Sequence, residues 1–201
     1  MVRTYMIVAS TKDGGIGCDG KLPWQKCGKS LSADMAFFKK ITTSCENSWS
    51  IESNVPSTVI MGKNTWFSIP EKFRPLPNRT NIVLSRNGFE CEHKDVIHAT
   101  SIENALKLVS DGNVFVIGGG YLYEKMLNFH NDTIESILLT EVSSEFECDT
   151  FIDMNQIHTQ FPGKQDITVS VLDFVNKRNL LDEEGYVNDK GVKYKFCLLN
   201  K

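Results

Sequence analysis

The stretch VFVIGGGYLYEKML, residues 114–127, sets the firmest limit on the fold. A run of β-branched and aromatic residues breaks at three consecutive glycines and resumes at once with helical spacing, which reads as a strand turning directly into a helix. The pattern recurs. VIMGKNTWFSIP, residues 59–70, passes from apolar run to helix through Gly62, and Ser85 and Arg86 follow the apolar run 81–84. Repeated strand-to-helix turns are the mark of a mostly parallel sheet flanked by helices, an α/β architecture.

Eight segments read as strands: TYMIVAS, STVIM, TNIVLS, DVIHA, NVFVIG, ESILLTEV, DITVSVLDFV and VKYKFCLLN. Helical patterns lie between them at 33–43, 63–68, 101–110 and 120–128. The last two strands flank the polar stretch 176–190, which contains Gly185, and so predict a long-looped antiparallel hairpin at the C-terminus. Residues 25–32 and 44–57 are polar connections. With 201 residues, 41% of them hydrophobic, and no repeat or low-complexity linker, the chain is expected to form one domain over 1–201.

A formal charge of -3 with no block of like charges gives no field for nucleic acid, so a small ligand is the expected partner. The apolar run in MVRTYMIVAS is shorter than a signal-peptide core, and no segment approaches the roughly 20 apolar residues of a membrane span. The expectation is a cytoplasmic protein that does not engage a membrane. The six cysteines, at 18, 27, 45, 91, 148 and 197, form no CxxC pair and lie at no ligand spacing from the four histidines, so free thiols are expected, without a metal site.

The glycine turn is not a dinucleotide fingerprint of the G-x-G-x-x-G type, because Tyr123 stands where the third glycine is needed; nor is it a Walker loop. What remains is physical. Backbone amides at a helix start, bare of side chains, can approach an anion or a flat ring; the alternative is a tight turn and no more. Lys63, Asn64 and Thr65 open the second turn, and Ser85 with Arg86 follows the third. Alone, each cation reads as a solvated charge. Because parallel strand ends point one way, the three turns can line one crevice suited to a nucleotide with several phosphates.

Asp34 is the carboxylate to watch. In LSADMAFFKKIT, Ser32 is a candidate helix cap, and Asp34, Phe37, Phe38 and Ile41 recur at i, i+3, i+4 and i+7 on one face. An acid in a first helical turn ordinarily faces water. On an apolar stripe with two phenylalanines and the LPW of residues 22–24 nearby, it reads instead as a buried acid that must pair with ligand hydrogens.

Taken together, IVAS, IGCDGKLPW, ADMAFFKK, VIMGKNTWFSIP, RPLPNRTNIVLSR, VFVIGGGYLYEKML, LLTEV and CDTFI resemble, in order and spacing, the dihydrofolate reductase family over most of the chain. The resemblance implies an eight-stranded mixed, mostly parallel sheet. It implies NADPH-dependent reduction of 7,8-dihydrofolate to tetrahydrofolate, with hydride delivered to C6 and a proton to N5, in support of thymidylate and one-carbon metabolism. In the family the peptide matching Gly118–Gly119 is cis and abuts the cofactor.

Residue by residue, Asp34 matches the acid that accepts from the pterin ring, Thr140 its hydroxyl neighbour, and Leu22 and Trp24 the remaining positions assigned to catalysis. Ile7, Val8, Met35, Phe38, Ser68, Ile69 and Leu76 match the walls of the substrate pocket, and Arg79 the clamp for the substrate's glutamate carboxylate. Ile117 and Tyr123 match positions shared by substrate and cofactor. Ala9, Ile16, Gly17, Gly20, Lys21 and Leu22 match the nicotinamide contacts and the loop that closes over them. Gly62, Lys63, Asn64 and Thr65 match the second phosphate-binding turn, with Leu84, Ser85 and Arg86 beside the adenosine ribose. Gly118, Gly119, Gly120, Tyr121 and Leu122 match the turn beside nicotinamide and pyrophosphate. Two cations near a 2′-phosphate imply NADPH over NADH.

Connections 25–32 and 44–57 are longer than in compact bacterial members, Asn78 stands where glycine is common, and Arg86 replaces a small polar residue. These features resemble eukaryotic members, which in many protists are fused to thymidylate synthase; this chain alone is expected to be monomeric and to bind antifolates. Two rivals share the fold or the cleft: a reductase of riboflavin synthesis acting on a ribosylated pyrimidine, and a noncatalytic nucleotide-binding module.

Overall fold

The computed structural model describes residues 1–43, 49, 51, 55–88 and 90–201, so most of the polar connection expected at 44–57 lies outside the described residues. The strands are β1 (Val2–Thr11), β2 (Gly15–Gly17), β3 (Ser57–Gly62), β4 (Thr80–Leu84), β5 (Val96–Ala99), β6 (Gly112–Val116), β7 (Ile134–Val142), β8 (Thr150–Phe151), β9 (Gly163–Asp166), β10 (Val187–Asp189) and β11 (Val192–Asn200). The α-helices are α1 (Pro23–Lys26), α2 (Ser32–Ile41), α3 (Lys63–Ser68), α4 (Ile102–Lys107), α5 (Gly120–Phe129), α6 (Met154–Gln160) and α7 (Thr168–Phe174).

The main sheet runs β10-β11-β7-β1-β6-β3-β4-β5, an eight-strand path, with β9 added to the outer edge of β11 beside β10. Pairings from β7 across to β5 are parallel; β11 runs antiparallel to β7, β9 and β10. β1 at the centre divides its side chains between two cores, as the period of two requires. Tyr5 and Ile7 pack with Phe37, Trp66 and Phe196 on one face, while Met6 and Val8 pack with Leu122, Met126 and Ile137 on the other. A short ribbon of β2 and β8 lies off the main sheet.

One expected strand is a helix. DITVSVLDFV, rich in β-branched residues, predicts a strand, yet 168–174 forms α7. The burial explains why: Ile167, Thr168, Val171 and Leu172 are buried while Val169 is exposed, which is the spacing of one helical face and not alternation. Asp166 accepts the backbone N–H of Thr168 at 2.9 Å and helps start the turn. The C-terminal hairpin is therefore not formed by that segment. It is β10 and β11, joined through Lys190 (φ 54°) and Gly191 (φ 76°), a two-residue turn with both central residues left-handed.

The four helices expected from the sequence stay close to expectation: α2 spans 32–41 against an expected 33–43, and α5 begins at Gly120 and runs to 129, whereas α1 and α6 fall where no helix is expected. Ser32, however, does not cap α2. It is the helix's first residue, the cap position is Leu31, and the Ser32 hydroxyl donates to Asp189 at 2.6 Å. No helix of the described residues is long and apolar enough to cross a membrane.

Candidate active site

A cleft of about 1920 Å³ opens beside the carboxyl ends of β3, β4 and β6. Every residue assigned above to substrate or cofactor lines it, except Thr140, which stands directly behind Asp34. Trp24 does not reach the cleft lining; it is buried in the core, edge-on to the Phe146 ring at 6.2 Å.

At one end stands Asp34, in the first turn of α2, with Thr140 of β7 donating its hydroxyl to the carboxylate at 2.7 Å. The side chain is only partly open to the cleft and is otherwise walled by protein. Removal from water pushes its pKa up to about 6, against the opposing pull of the Thr140 hydrogen bond. Tyr123 of α5 donates its phenol to the Ile7 carbonyl at 2.7 Å; burial, reinforced by the Asp34 carboxylate, holds that phenol well above its ordinary range. A partly protonated acid among hydrocarbon walls suits a flat ring that carries both N–H donors and a basic nitrogen.

Arg79 sits on the same side. Its Nε donates to the Pro77 carbonyl at 3.0 Å, an Nη donates to Thr42 at 2.6 Å, and the guanidinium lies 5.8 Å from the centre of the Phe38 ring. Desolvation lowers its pKa to about 10, so it remains cationic at neutral pH. Its placement depends on the preceding turn, where Asn78 adopts φ 61°, a conformation asparagine tolerates. Buried Asn81 ties that turn together, accepting the Leu76 N–H at 2.9 Å and donating to the carbonyls of Leu76 and Arg79, each at 2.9 Å. Asn81→Ala leaves the Leu76 amide and carbonyl without these partners; unfolding in urea is expected to show a loss of about 1–3 kcal/mol.

The three glycines each make a close approach. A Cβ on Gly118, which has φ 105°, would stand 3.1 Å from the Tyr123 ring; one on Gly119 would meet the Thr65 hydroxyl at 3.2 Å, and one on Gly120 the Thr150 methyl at 3.0 Å. The Gly118–Gly119 peptide is cis, and the Gly118 carbonyl accepts the Gly62 N–H at 2.8 Å, which joins the first two glycine turns side by side. Lys63, Asn64 and Thr65 of α3 and Ser85 with Arg86 after β4 face the same space. Bare backbone at the start of α5 with two flanking cations is a donor set that fits an anionic dinucleotide.

Over this region lies the turn at 18–21, closed by paired hydrogen bonds between Cys18 and Lys21 at 2.9 and 3.1 Å, with the Asp19 N–H donating to Asp149 at 2.6 Å. The cleft also continues past the expected residues to Thr100, Ser101, Ile102, Glu103, Lys125 and His130. The signal for these was present in the sequence: the segment after DVIHA is another turn from a strand into a helix, whose cap Ser101 accepts the Asn104 N–H at 3.1 Å. Among the described residues no three His, Cys, Asp or Glu side chains converge as metal ligands, and Cys18, Cys27, Cys91, Cys148 and Cys197 are free thiols.

The family model for dihydrofolate reductase matches residues 3–167. Dihydrofolate reductase of Candida albicans is 43% identical over 155 residues, covering 73% of this chain and 74% of that protein. Viral dihydrofolate reductase of Saimiriine herpesvirus 2 is 35% identical over 206 residues, 97% of this chain and 83% of the other. Bifunctional dihydrofolate reductase-thymidylate synthase 2 of Arabidopsis thaliana is 43% identical over 159 residues, 74% of this chain but 26% of the relative, so the match spans about a quarter of that longer protein. The fold, the cleft and these matches place the chain in the dihydrofolate reductase family.

Proposed function

We propose that residues 1–201 act as one cytoplasmic, monomeric unit that reduces 7,8-dihydrofolate to tetrahydrofolate with NADPH, feeding thymidylate and one-carbon metabolism. The observation that carries this reading is the partly buried acid Asp34 on the wall of a cleft whose far side is bare glycine backbone flanked by Lys63 and Arg86. NADPH, when bound along that backbone, supplies the hydride. The chain supplies the rest. Ile7, Phe38 and Ile69 exclude water and fix the plane of the pterin, Asp34 accepts its amino and ring N–H groups, and Arg79 pairs with the distal carboxylate. The Asp34 carboxylate raises the basicity of the pterin and so favours the N5-protonated form whose C6 is electrophilic. The likeness to bifunctional relatives supports thymidylate synthase as a fused or separate functional partner.

The test follows NADPH absorbance with and without dihydrofolate, and again after a diaminopyrimidine antifolate is added. Oxidation that depends on dihydrofolate and stops with antifolate supports the assignment. Binding of NADPH without turnover would indicate a noncatalytic module, and turnover only of a ribosylated pyrimidine would indicate the riboflavin-pathway rival. For cofactor choice, replacing Lys63 and Arg86 together with Ala is expected to weaken NADPH by about tenfold or more relative to NADH, from the loss of charge-assisted contacts. Equal losses in isothermal titrations would remove these cations from 2′-phosphate recognition.

A further inference from the structure

The start of the helix that carries Asp34 is held by residues from the opposite end of the chain. An α-helix leaves its first N–H groups without intrahelical partners, and when that end is buried they need acceptors from elsewhere. In α2 the Met35 N–H reaches the Leu31 carbonyl at 3.0 Å, but Ser32, Ala33 and Asp34 have no such acceptor and no side chain at the cap position serves them. Asp189, the last residue of β10 and itself only 4% exposed, accepts both the backbone N–H and the hydroxyl of Ser32. The Tyr194 phenol, fully buried on β11, donates to the same carboxylate at 3.5 Å.

The C-terminal hairpin thus caps the helix from 157 residues away in sequence. It does so outside the 3–167 segment matched by the family model. A carboxylate at a helix start also opposes the positive end of the helix dipole. Because β10 and β11 meet through a two-residue turn, Asp189 and Tyr194 are held on one rigid support, with Val187 opposite Tyr194 and Asp189 opposite Val192.

We infer that Asp189 and Tyr194 are positioning residues for the reaction: Asp189, held by the Tyr194 phenol, takes the N–H and hydroxyl of Ser32 and so fixes where the Asp34 carboxylate, two residues on, stands in the cleft. The inference rests on the proposed reductase reading for its kinetic consequence, though not for its structural one. The ionisable groups facing Asp34 are the phenols of Tyr123 on α5 and Tyr194 on β11, with Asp189 behind the latter.

The experiment uses the full chain with Tyr194→Phe, Asp189→Asn and Asp189→Ala. Tyr194→Phe removes the phenol that donates to Asp189. It is expected to lower kcat/KM for dihydrofolate about tenfold and raise KM more than it lowers kcat, while the dissociation constant for NADPH changes less than twofold. Asp189→Asn keeps an oxygen for Ser32 and should retain most activity that Asp189→Ala loses. Loss of the buried negative charge in either Asp189 variant favours ionised Asp34, so in both the fall of the hydride-transfer rate with pH should move to lower pH by about half a unit. Carbon-13 NMR titration of the Asp34 carboxyl reads the same displacement without turnover. If wild type shows no reductase activity, the function reading fails, and the NMR titration still decides this inference. Folded variants with wild-type kinetics and an unmoved Asp34 titration overturn it. Should Tyr194→Phe fail to fold, the Asp189→Asn and Asp189→Ala pair carries the same comparison.

Discussion

Asp34→Asn is expected to lower hydride transfer to dihydrofolate at neutral pH by about 10²–10⁴-fold, the range in which a positioned acid–base group contributes. The substitution leaves an amide oxygen to accept from Thr140, so the local hydrogen bond survives while the charge does not. NADPH affinity should be unchanged, because the cofactor's expected contacts, the glycine turns with Lys63 and Arg86, form the other part of the cleft. In the wild type the rate should fall as pH rises through about 6 and above, where the site loses the one proton that the Asp34 carboxyl and the pterin N5 share. In the variant that pH dependence should flatten. Single-turnover measurements across pH check both statements, and near-normal turnover at neutral pH would remove Asp34 from its role.

The same substitution should stabilise the ligand-free protein. The folded-state pKa of Asp34, about 6, lies above its ordinary value of 3.8, so folding favours the protonated form. Below the unfolded value the group contributes no penalty; as pH rises between the two values the folded state progressively loses stability relative to the unfolded chain. By about pH 7 the full difference of roughly two units corresponds to at most about 3 kcal/mol. Urea unfolding of wild type and Asp34→Asn should therefore coincide near pH 3 and separate by about 1–3 kcal/mol at neutral pH, with the variant the more stable. Coincident curves at both pH values would mean that the carboxylate is better solvated than its surroundings indicate.

Much of this was legible in the sequence because the relevant signals are local. Gly118 to Gly120, Lys63 and Arg86 announce themselves as turns at strand ends, and the spacing from Asp34 to Ile41 gives the face that the acid occupies. The segment 166–175 misled because β-branched residues favour strands on average, while the decisive fact, which of them meet the core, is set by packing against Phe196 and its neighbours. Ser32 misled for a related reason: its type suits a cap, but a buried carboxylate from β10 takes the position's hydrogen bonds first. No local pattern joins Asp189 to Ser32. Trp24 enters through the family resemblance alone, since no local pattern separates a core tryptophan from one beside a site; it is buried edge-on to Phe146.

The central position of β1 has a consequence for biosynthesis. Val2–Met6 pair with 112–116 and Thr4–Thr11 with partners that end at Val142. While the chain emerges from a ribosome, the apolar strand Val2–Thr11 must wait unpaired on one side until residues 112–116 are made and on the other until 134–142 are. Early release of shortened products would expose an unmatched hydrophobic strand, which makes this N-terminal segment the place where chaperone engagement and aggregation during translation should concentrate.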